Sequence, residues 1–315
     1  MDAPVVIVAG PTASGKSALA VDIALEFGGE VVNADSMQVY RELHALTARP
    51  SPAEEAKVPH RLFGVLPAAQ ACSVARWLEL ARPTIAEVRA AGRLPVVVGG
   101  TGLYLKALRE GLAPVPPVPD ILRKEVEERH DRIGGAAFRA ELATLDPETA
   151  ARLPDGDRQR LVRAFAVAKA TGRPLAAWKR EAPAAEAPVP GPFLTLALDP
   201  PRDVLYAACD VRFGRMLEEG ALAEAEALLA LNLDPALPAM KAVGLPELAR
   251  FLAGDGSLEE AAAKARQATR NYAKRQCTWL RHQLRADLVL GEQYSESLKP
   301  KIFSFIRRFL LTEGF

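Results

Sequence analysis

The sequence has few cysteines, and none of them has a metal-binding spacing. Three occur in 315 residues, at Cys72, Cys209 and Cys277, and no two of them form a C-x-x-C pair. An odd number of widely separated cysteines indicates reduced thiols, and it excludes a disulfide framework and a zinc site of the usual spacing. We expect the three side chains to be small buried hydrophobes.

Long apolar runs and a basic leader are also missing. No uninterrupted apolar run approaches the roughly 18 residues that a membrane span needs. The N-terminus carries no basic segment and leads directly into the apolar run VVIVAG, which is not typical of a signal peptide. We therefore expect a cytoplasmic protein that is not bound to membranes, and we expect it to be a monomer.

The chain has no excess charge of one sign. It carries 40 Lys plus Arg against 39 Asp plus Glu, a formal net charge of +1, so no whole-protein field gathers nucleic acid. Residues 261–286 nevertheless hold 7 Lys and Arg with no acid, and without those 7 the net charge of +1 becomes −6. Arg266, Arg270 and Lys274 recur at four-residue spacing, which predicts one helix face that follows phosphate groups.

Proline divides the chain into segments. The hydrophobic fraction of 49% is enough for a sizeable core, and the length suggests about two domains. Proline-rich stretches at 113–120 and 183–192 interrupt helix and strand. The segment between them predicts a helical insertion domain over 113–190. Residues 1–112 and 191–315 predict a catalytic core that ends in helices.

Short apolar runs alternate with helical patterns outside the insertion. Such runs, bounded by turn formers, are typical of strands buried on both faces of a parallel sheet. The chain is therefore predicted to be α/β, with a P-loop NTPase-like parallel sheet. The predicted strands are Pro4–Ala9, Glu30–Ala34, Leu94–Val98 and Phe193–Leu198. The predicted later helices are Asp203–Leu231, Pro246–Ala253, Ser257–Arg285 and an amphipathic tail at Ile302–Leu311.

A phosphate-binding loop follows the first predicted strand. The motif G-x-x-x-x-G-K-S lets backbone N–H groups surround phosphate oxygens at a helix N-terminus, while its lysine adds a charge and its last hydroxyl can ligate Mg²⁺. It predicts a di- or triphosphate ligand, such as ATP, without saying which. The strand at Leu94–Val98 ends in glycines and not in the Asp of an ATP-hydrolysing enzyme, which disfavours ATP hydrolysis. The loop residues are Gly10, Pro11, Thr12, Ala13, Ser14, Gly15, Lys16 and Ser17.

Two polar residues follow other predicted strands. Because parallel strands end at one ligand crevice, Asp35 is expected near the phosphates, where a carboxylate can act as a base. The alternative is an Asp that only caps a turn. Thr101 follows Gly99 and Gly100 beside the same crevice, and its alternative is a helix N-cap.

Several motifs together resemble the bacterial tRNA dimethylallyltransferases, also called tRNA isopentenyltransferases or the IPP transferase family. The resemblance covers about residues 4–283. It implies transfer of a dimethylallyl group from dimethylallyl diphosphate to the exocyclic amine of the adenosine just 3′ of the anticodon, with Mg²⁺ as cofactor. Its partners would be the diphosphate donor and the anticodon stem-loop of tRNA. The motifs are GPTASGKS, NADSMQVYREL, VPHRL, GGTGLYLKAL, DRQRLVRA, KAVGLPEL and ATRNYAKRQCTWLR.

The resemblance also implies roles for particular residues. Asp35 matches the catalytic base, Thr101 the residue that lines the reaction channel, and Arg212 an arginine that binds the pyrophosphate together with Lys16. Arg212 could instead be a solvated helix charge. Ser17 would ligate Mg²⁺. The matching tRNA-contact positions are Asp35, Ser36, Met37, Gln38, Thr101, Arg123, Gln159, Arg160, Leu161, Val162, Arg163, Met240, Lys241, Ala242, Val243, Gly244 and Leu245.

Alternatives to these assignments stay open. Residues 159–163 could form only a solvated basic helix face, with Leu161 turned to a core. The family often has QAIGYREL where this chain has KAVGLPEL, so Leu245 and Pro246 lack the polar reach of tyrosine and arginine. A P-loop kinase that uses Asp35 as base for a hydroxyl acceptor is the second enzyme class. A nucleotide-gated RNA-binding module without catalysis is the third possibility.

Overall fold

The computed structural model describes residues 3–181 and 189–314. The described residues divide into two compact units, one formed by 3–109 with 189–314 and the other beginning at residue 110. The first division lies close to the predicted boundary after residue 112. Most of the proline-rich stretch at 183–192 lies outside the described residues.

A six-stranded sheet organises the first unit. Every neighbouring pair of strands is parallel, and the strand order is β3-β2-β4-β1-β5-β6. Val8 of the central strand is paired with Val98 on one side and Leu196 on the other. The predicted α/β class with a parallel sheet is confirmed. The strands are β1 (Val5–Ala9), β2 (Gly29–Asn33), β3 (His60–Arg61), β4 (Leu94–Gly99), β5 (Phe193–Leu198) and β6 (Leu288–Leu290).

Helices connect the strands, and the regular structure described for the second unit, over residues 110–181, is helical. Within the described residues, none of them is both long enough and apolar enough to cross a membrane. In chain order the helices are α1 (Lys16–Phe27), α2 (Pro52–Glu55), α3 (Val74–Ala90), α4 (Gly102–Glu110), α5 (Asp120–Ile133), α6 (Gly135–Leu145), α7 (Pro147–Arg152), α8 (Arg158–Thr171), α9 (Leu175–Glu181), α10 (Arg202–Glu218), α11 (Ala221–Ala230), α12 (Leu245–Leu252), α13 (Leu258–Gln283) and α14 (Lys299–Thr312).

The sheet is buried because helices cover it. Alternate strand residues such as Val6, Val8 and Val96 pack against α1 and α14 in one cluster. The C-terminal helix α14 contributes Ile302 and Ile306, which are fully buried. The predicted amphipathic tail is therefore confirmed as a helix that packs on the core.

The helices after β5 differ from the predicted pattern at one point. The segment Asp203–Leu231 was expected to be continuous, but α10 ends at Glu218 and α11 begins at Ala221. Gly220 lies between them with φ of 98°, a left-handed backbone that a helix interior does not contain. The long helix α13 begins as predicted, because Ser257 forms a capping box with Glu260.

Candidate active site

The phosphate-binding loop joins β1 to α1 and has the backbone that anion binding requires. Ala13 and Gly15 have positive φ angles of 64° and 87°, and Gly15 directly precedes α1. Such alternation turns successive N–H groups toward one side, which forms an anion-binding concavity at a helix N-terminus. The Ser14 side chain is fully buried, and no described residue hydrogen-bonds its hydroxyl.

Gln276 of α13 fixes the start of this loop. Its side-chain Oε1 accepts from the backbone N–H of Thr12 at 2.8 Å, and its Nε2 donates to the carbonyl of Gly100 at 3.0 Å. Gln276 is buried, so its bond to Gly100 is shielded from water, and its bond to Thr12 is partly shielded. The Thr12 N–H is therefore used inside the protein, as is the Ser14 N–H, which donates to the carbonyl of Pro11 at 3.3 Å. The loop thus offers a ligand fewer N–H groups than the motif alone predicts.

Two cations lie together beside the loop. Burial, and after it the charge of Arg212, lower the pKa of Lys16 from 10.5 to about 8. Burial also lowers the pKa of Arg212, and the carboxylate of Asp35 opposes both shifts. Lys16 donates to the carbonyl of Pro11 at 3.3 Å. No described residue accepts from the buried Nε of Arg212. A site with two desolvated cations and an unused donor favours an anionic ligand.

The Asp35 carboxylate is held in a turn at the end of β2. Its Oδ1 accepts from the N–H of Met37 at 2.9 Å, and its own N–H donates to Asn33 at 2.8 Å. The turn-capping role considered from the sequence is thus real. It does not exclude catalysis, because the cap fixes the carboxylate beside Lys16 and Arg212.

Thr101 connects two of the loops that follow the strands. Its hydroxyl accepts from the backbone N–H of Ser36 at 2.9 Å and donates to the Ser36 hydroxyl at 3.3 Å. Burial raises the pKa of the nearby Tyr272 phenol. Thr101 therefore lies in the crevice with Asp35.

The Gln38 amide is occupied within the protein. Its Nε2 donates to the carbonyls of Thr47 and Ala48 at 3.0 and 3.1 Å. The carbonyl of Thr47 also accepts from Nη2 of Arg212 at 3.0 Å. Arg212 is consequently oriented from inside the protein, and the alternative of a solvated helix charge is wrong.

The protein groups near the loop fit a Mg²⁺ ion that is bound by one side chain and mainly by the phosphates of a substrate. Ser17 is exposed at the first turn of α1, where its hydroxyl is available. In residues 3–181 and 189–314 no three His, Cys, Asp or Glu side chains cluster as a metal site. Mg²⁺ commonly keeps several waters and is bound by one or two protein ligands plus substrate phosphates. Asp199, at the end of β5, is held by Arg281 at 2.7 Å and is not directed to this role.

The second unit contains the predicted contacts Arg123 and 159–163. Gln159, Arg160 and Arg163 are exposed on α8. Leu161 and Val162 are buried in the core of this unit, so the tRNA contacts assigned to their side chains are wrong. They were carried over with their neighbours, although the helical spacing turns them inward. Arg123 is exposed and pairs with Asp120 at 3.1 Å.

The loop 240–245 is only partly available. Lys241 is exposed, whereas Ala242 and Leu245 are buried, which corrects the assignment of their side chains to tRNA. Gly244 has φ of 95°, and a Cβ there would lie 2.9 Å from the ring of Phe213. Met240 and Val243 are half-buried beside them.

The basic face of α13 is less free than its spacing predicts. Arg270 binds both carboxylate oxygens of Asp210 at 2.6 and 2.7 Å, because this side of α13 packs on α10. Arg281 is held by Asp199. These two arginines are neutralised within the protein, while Lys264 and Lys274 are exposed.

The chain is similar to known proteins in sequence and in structure. A family model described as IPP transferase matches residues 38–283, and one described as isopentenyl transferase matches residues 3–63. The tRNA dimethylallyltransferase of Rhodospirillum centenum is 60% identical over 284 residues, which cover 90% of each chain. That of Rhodospirillum rubrum is 54% identical over 314 residues, 98% of this chain and 96% of the relative.

A solved structure shares this architecture. The tRNA isopentenylpyrophosphate transferase of Bacillus halodurans has a TM-score of 0.71 and 32% sequence identity. The match covers 100% of this chain and 98% of that chain. The similarity therefore includes the sheet, the second unit and the C-terminal helices.

Proposed function

This chain belongs to the IPP transferase family, and we propose that it acts as a tRNA dimethylallyltransferase with dimethylallyl diphosphate as the donor. The observation that carries the proposal is the placement of two desolvated cations, Lys16 and Arg212, beside the Asp35 carboxylate. The cations suit a diphosphate, and the carboxylate suits removal of a proton from the acceptor.

The reaction begins with departure of the diphosphate. The allylic C–O bond breaks as negative charge develops on the leaving oxygen, so groups that bind this charge lower the barrier. Lys16 and Arg212 supply positive charge, and the loop amides that are not bonded within the protein supply N–H donors. Ser17 would help to hold Mg²⁺, which would supply Lewis-acid stabilisation of the same charge.

The acceptor nitrogen then bonds to the allylic carbon. An exocyclic adenine amine is a poor nucleophile, and the adenosine has to leave its stack to enter the crevice. Asp35 takes a proton from that amine, so the nitrogen becomes neutral after the new C–N bond has formed. Diphosphate and modified tRNA are the products. Thr101, which is hydrogen-bonded to Ser36 next to Asp35, would border the same nucleotide.

Exposed basic residues supply the remaining tRNA contacts. On α8 these are Arg160 and Arg163, which lie beside the neutral Gln159, and after α11 it is the exposed Lys241. Their charges act on the phosphate backbone, which makes binding depend on salt. The cytoplasmic location and the monomeric state stay predictions from the sequence.

Purified protein incubated with labelled dimethylallyl diphosphate, Mg²⁺ and tRNA tests this function. The expected result is label in tRNA and release of diphosphate. ATP-dependent phosphorylation of an acceptor, with no label transfer, would support the kinase alternative and overturn the proposal. RNA affinity that responds to ATP, without any chemistry, would support the binding module.

A further inference from the structure

Outside the groups that face the substrates, Glu224 makes an unusual set of contacts. It lies in the first turn of α11, and its carboxylate accepts from three successive backbone N–H groups. Oε2 accepts from His44 at 2.7 Å and from Ala45 at 2.8 Å, while Oε1 accepts from Leu46 at 2.9 Å. Bonds from N–H to a carboxylate are among the stronger ones in proteins.

These three amides begin a tight turn at residues 44–48. Ala45 and Leu46 are buried, so their N–H groups have little access to water. The turn closes with a bond from Ala48 N–H to the carbonyl of Ala45 at 3.0 Å, and Ala48 has a positive φ of 44°. Glu224 thus stabilises a turn that includes a strained backbone position.

The far end of this turn faces the active site. The carbonyl of Thr47 accepts from Nη2 of Arg212 and from Nε2 of Gln38, each at 3.0 Å. The position of this carbonyl therefore sets where the Arg212 guanidinium lies. The turn therefore orients the Arg212 guanidinium, and Glu224 holds the turn in position.

We propose that Glu224 is a positioning residue for diphosphate binding, acting through the 44–48 turn on Arg212. The proposal rests on the proposed function, because it takes Arg212 to bind the diphosphate. Without the carboxylate, three N–H groups lose their acceptor, and the Thr47 carbonyl is held only by its bonds to Gln38 and Arg212. The guanidinium then binds the leaving group from a broader range of positions, and affinity falls.

The test measures binding of inorganic pyrophosphate by calorimetry and steady-state transfer kinetics. Glu224→Ala is expected to weaken pyrophosphate binding about tenfold and to raise the donor KM more than it lowers kcat. Glu226→Ala, an exposed acid on the same helix, is the matched control and should stay within about twofold of the parent. If Glu224→Ala does not fold, Glu224→Gln is used in its place. Its amide has one acceptor oxygen where the carboxylate has two, so the three N–H groups cannot all keep their bonds.

A double-mutant cycle separates positioning from general damage. In an Arg212→Ala background, Glu224→Ala should cause no further loss of pyrophosphate affinity, since the group on which it acts is gone. An equal loss in both backgrounds would overturn the proposal, as would a Glu224 variant that behaves like Glu226→Ala. Failure of the proposed function has a different signature: the parent protein transfers no label, and Arg212→Ala binds pyrophosphate as the parent does.

Discussion

Diphosphate binding is expected to weaken as the pH rises through about 8, because the Lys16 ammonium loses its proton there. Only the protonated amine carries the charge that attracts the anion, whereas Arg212 stays charged throughout this range. With a pKa of about 8, Lys16 is about 90% protonated at pH 7 and about 10% at pH 9. If the charged form alone binds tightly, affinity falls roughly tenfold between these two pH values.

The same residue links pH to folding. The pKa of Lys16 falls from 10.5 in the unfolded chain to about 8 in the folded protein, a difference that disfavours the charged form by about 3 kcal/mol. Between pH 8 and 10.5 the unfolded chain binds more protons than the folded one, so stability contributed by this group rises with pH. Bound diphosphate should remove this penalty by neutralising the ammonium.

Isothermal titration with inorganic pyrophosphate from pH 7 to pH 9 measures the effect. The Lys16→Met variant, titrated in parallel, shows the pH dependence of the ligand itself and of other groups. The ratio of the parent's affinity to that of the variant at each pH gives the contribution of Lys16 to binding. Parallel profiles for the parent and for Lys16→Met would refute the reasoning, because they would show that Lys16 does not titrate in this range or does not bind the anion.

Three substitutions test other parts of the site. Asp35→Asn keeps an oxygen that can cap the turn but removes the base, so transfer should slow about 10²- to 10⁴-fold. tRNA binding, measured by fluorescence anisotropy, should change little. An equal loss of tRNA binding would show that Asp35 binds RNA and does not act as the base. Gln276→Leu leaves the half-buried N–H of Thr12 and the buried carbonyl of Gly100 unpaired, so urea denaturation should show a loss of about 2–4 kcal/mol in the free energy of unfolding. An unchanged midpoint would contradict this role of Gln276. Gly102→Ala places a Cβ 2.0 Å from the ring of Trp279 and should destabilise by about 1–3 kcal/mol, whereas Gly214→Ala, with no neighbour within 4 Å, should not.

Much of the fold could be predicted because its signals are local. The apolar strands, the loop between β1 and α1 and the capping box at Ser257 depend on neighbouring residues. The edge strands β3 and β6 were not predicted, since two or three residues carry too little pattern. The break at Gly220 was missed because a lone glycine in a helical pattern is often tolerated.

The active site could be predicted where a motif or the strand ends pointed to it. Lys16 follows from the motif and Asp35 and Thr101 from the strand ends, whereas Arg212 is implied only by the family resemblance. The structure places all four in one unit. Gln276 was not assigned, because its partner Thr12 is 264 residues away and a single Gln in a helix carries no signal.

The basic residues of α13 show where a sequence pattern misleads. Spacing alone places Arg270 on one face of α13, but that face packs on α10, where Asp210 neutralises it. A charge pattern does not reveal whether its partner is solvent, nucleic acid or another helix. Residues 261–286 therefore present less free positive charge in the folded protein than the sequence predicts, because Arg270 and Arg281 are paired with Asp210 and Asp199.

The most direct test of the account uses two anticodon stem-loops that differ only at the adenosine 3′ of the anticodon. Each is incubated with the protein, Mg²⁺ and labelled dimethylallyl diphosphate. Label is expected on the exocyclic amine of the adenosine in the first stem-loop, and none is expected in the other. Equal labelling of both, or labelling of neither by protein that binds pyrophosphate and RNA, would contradict it.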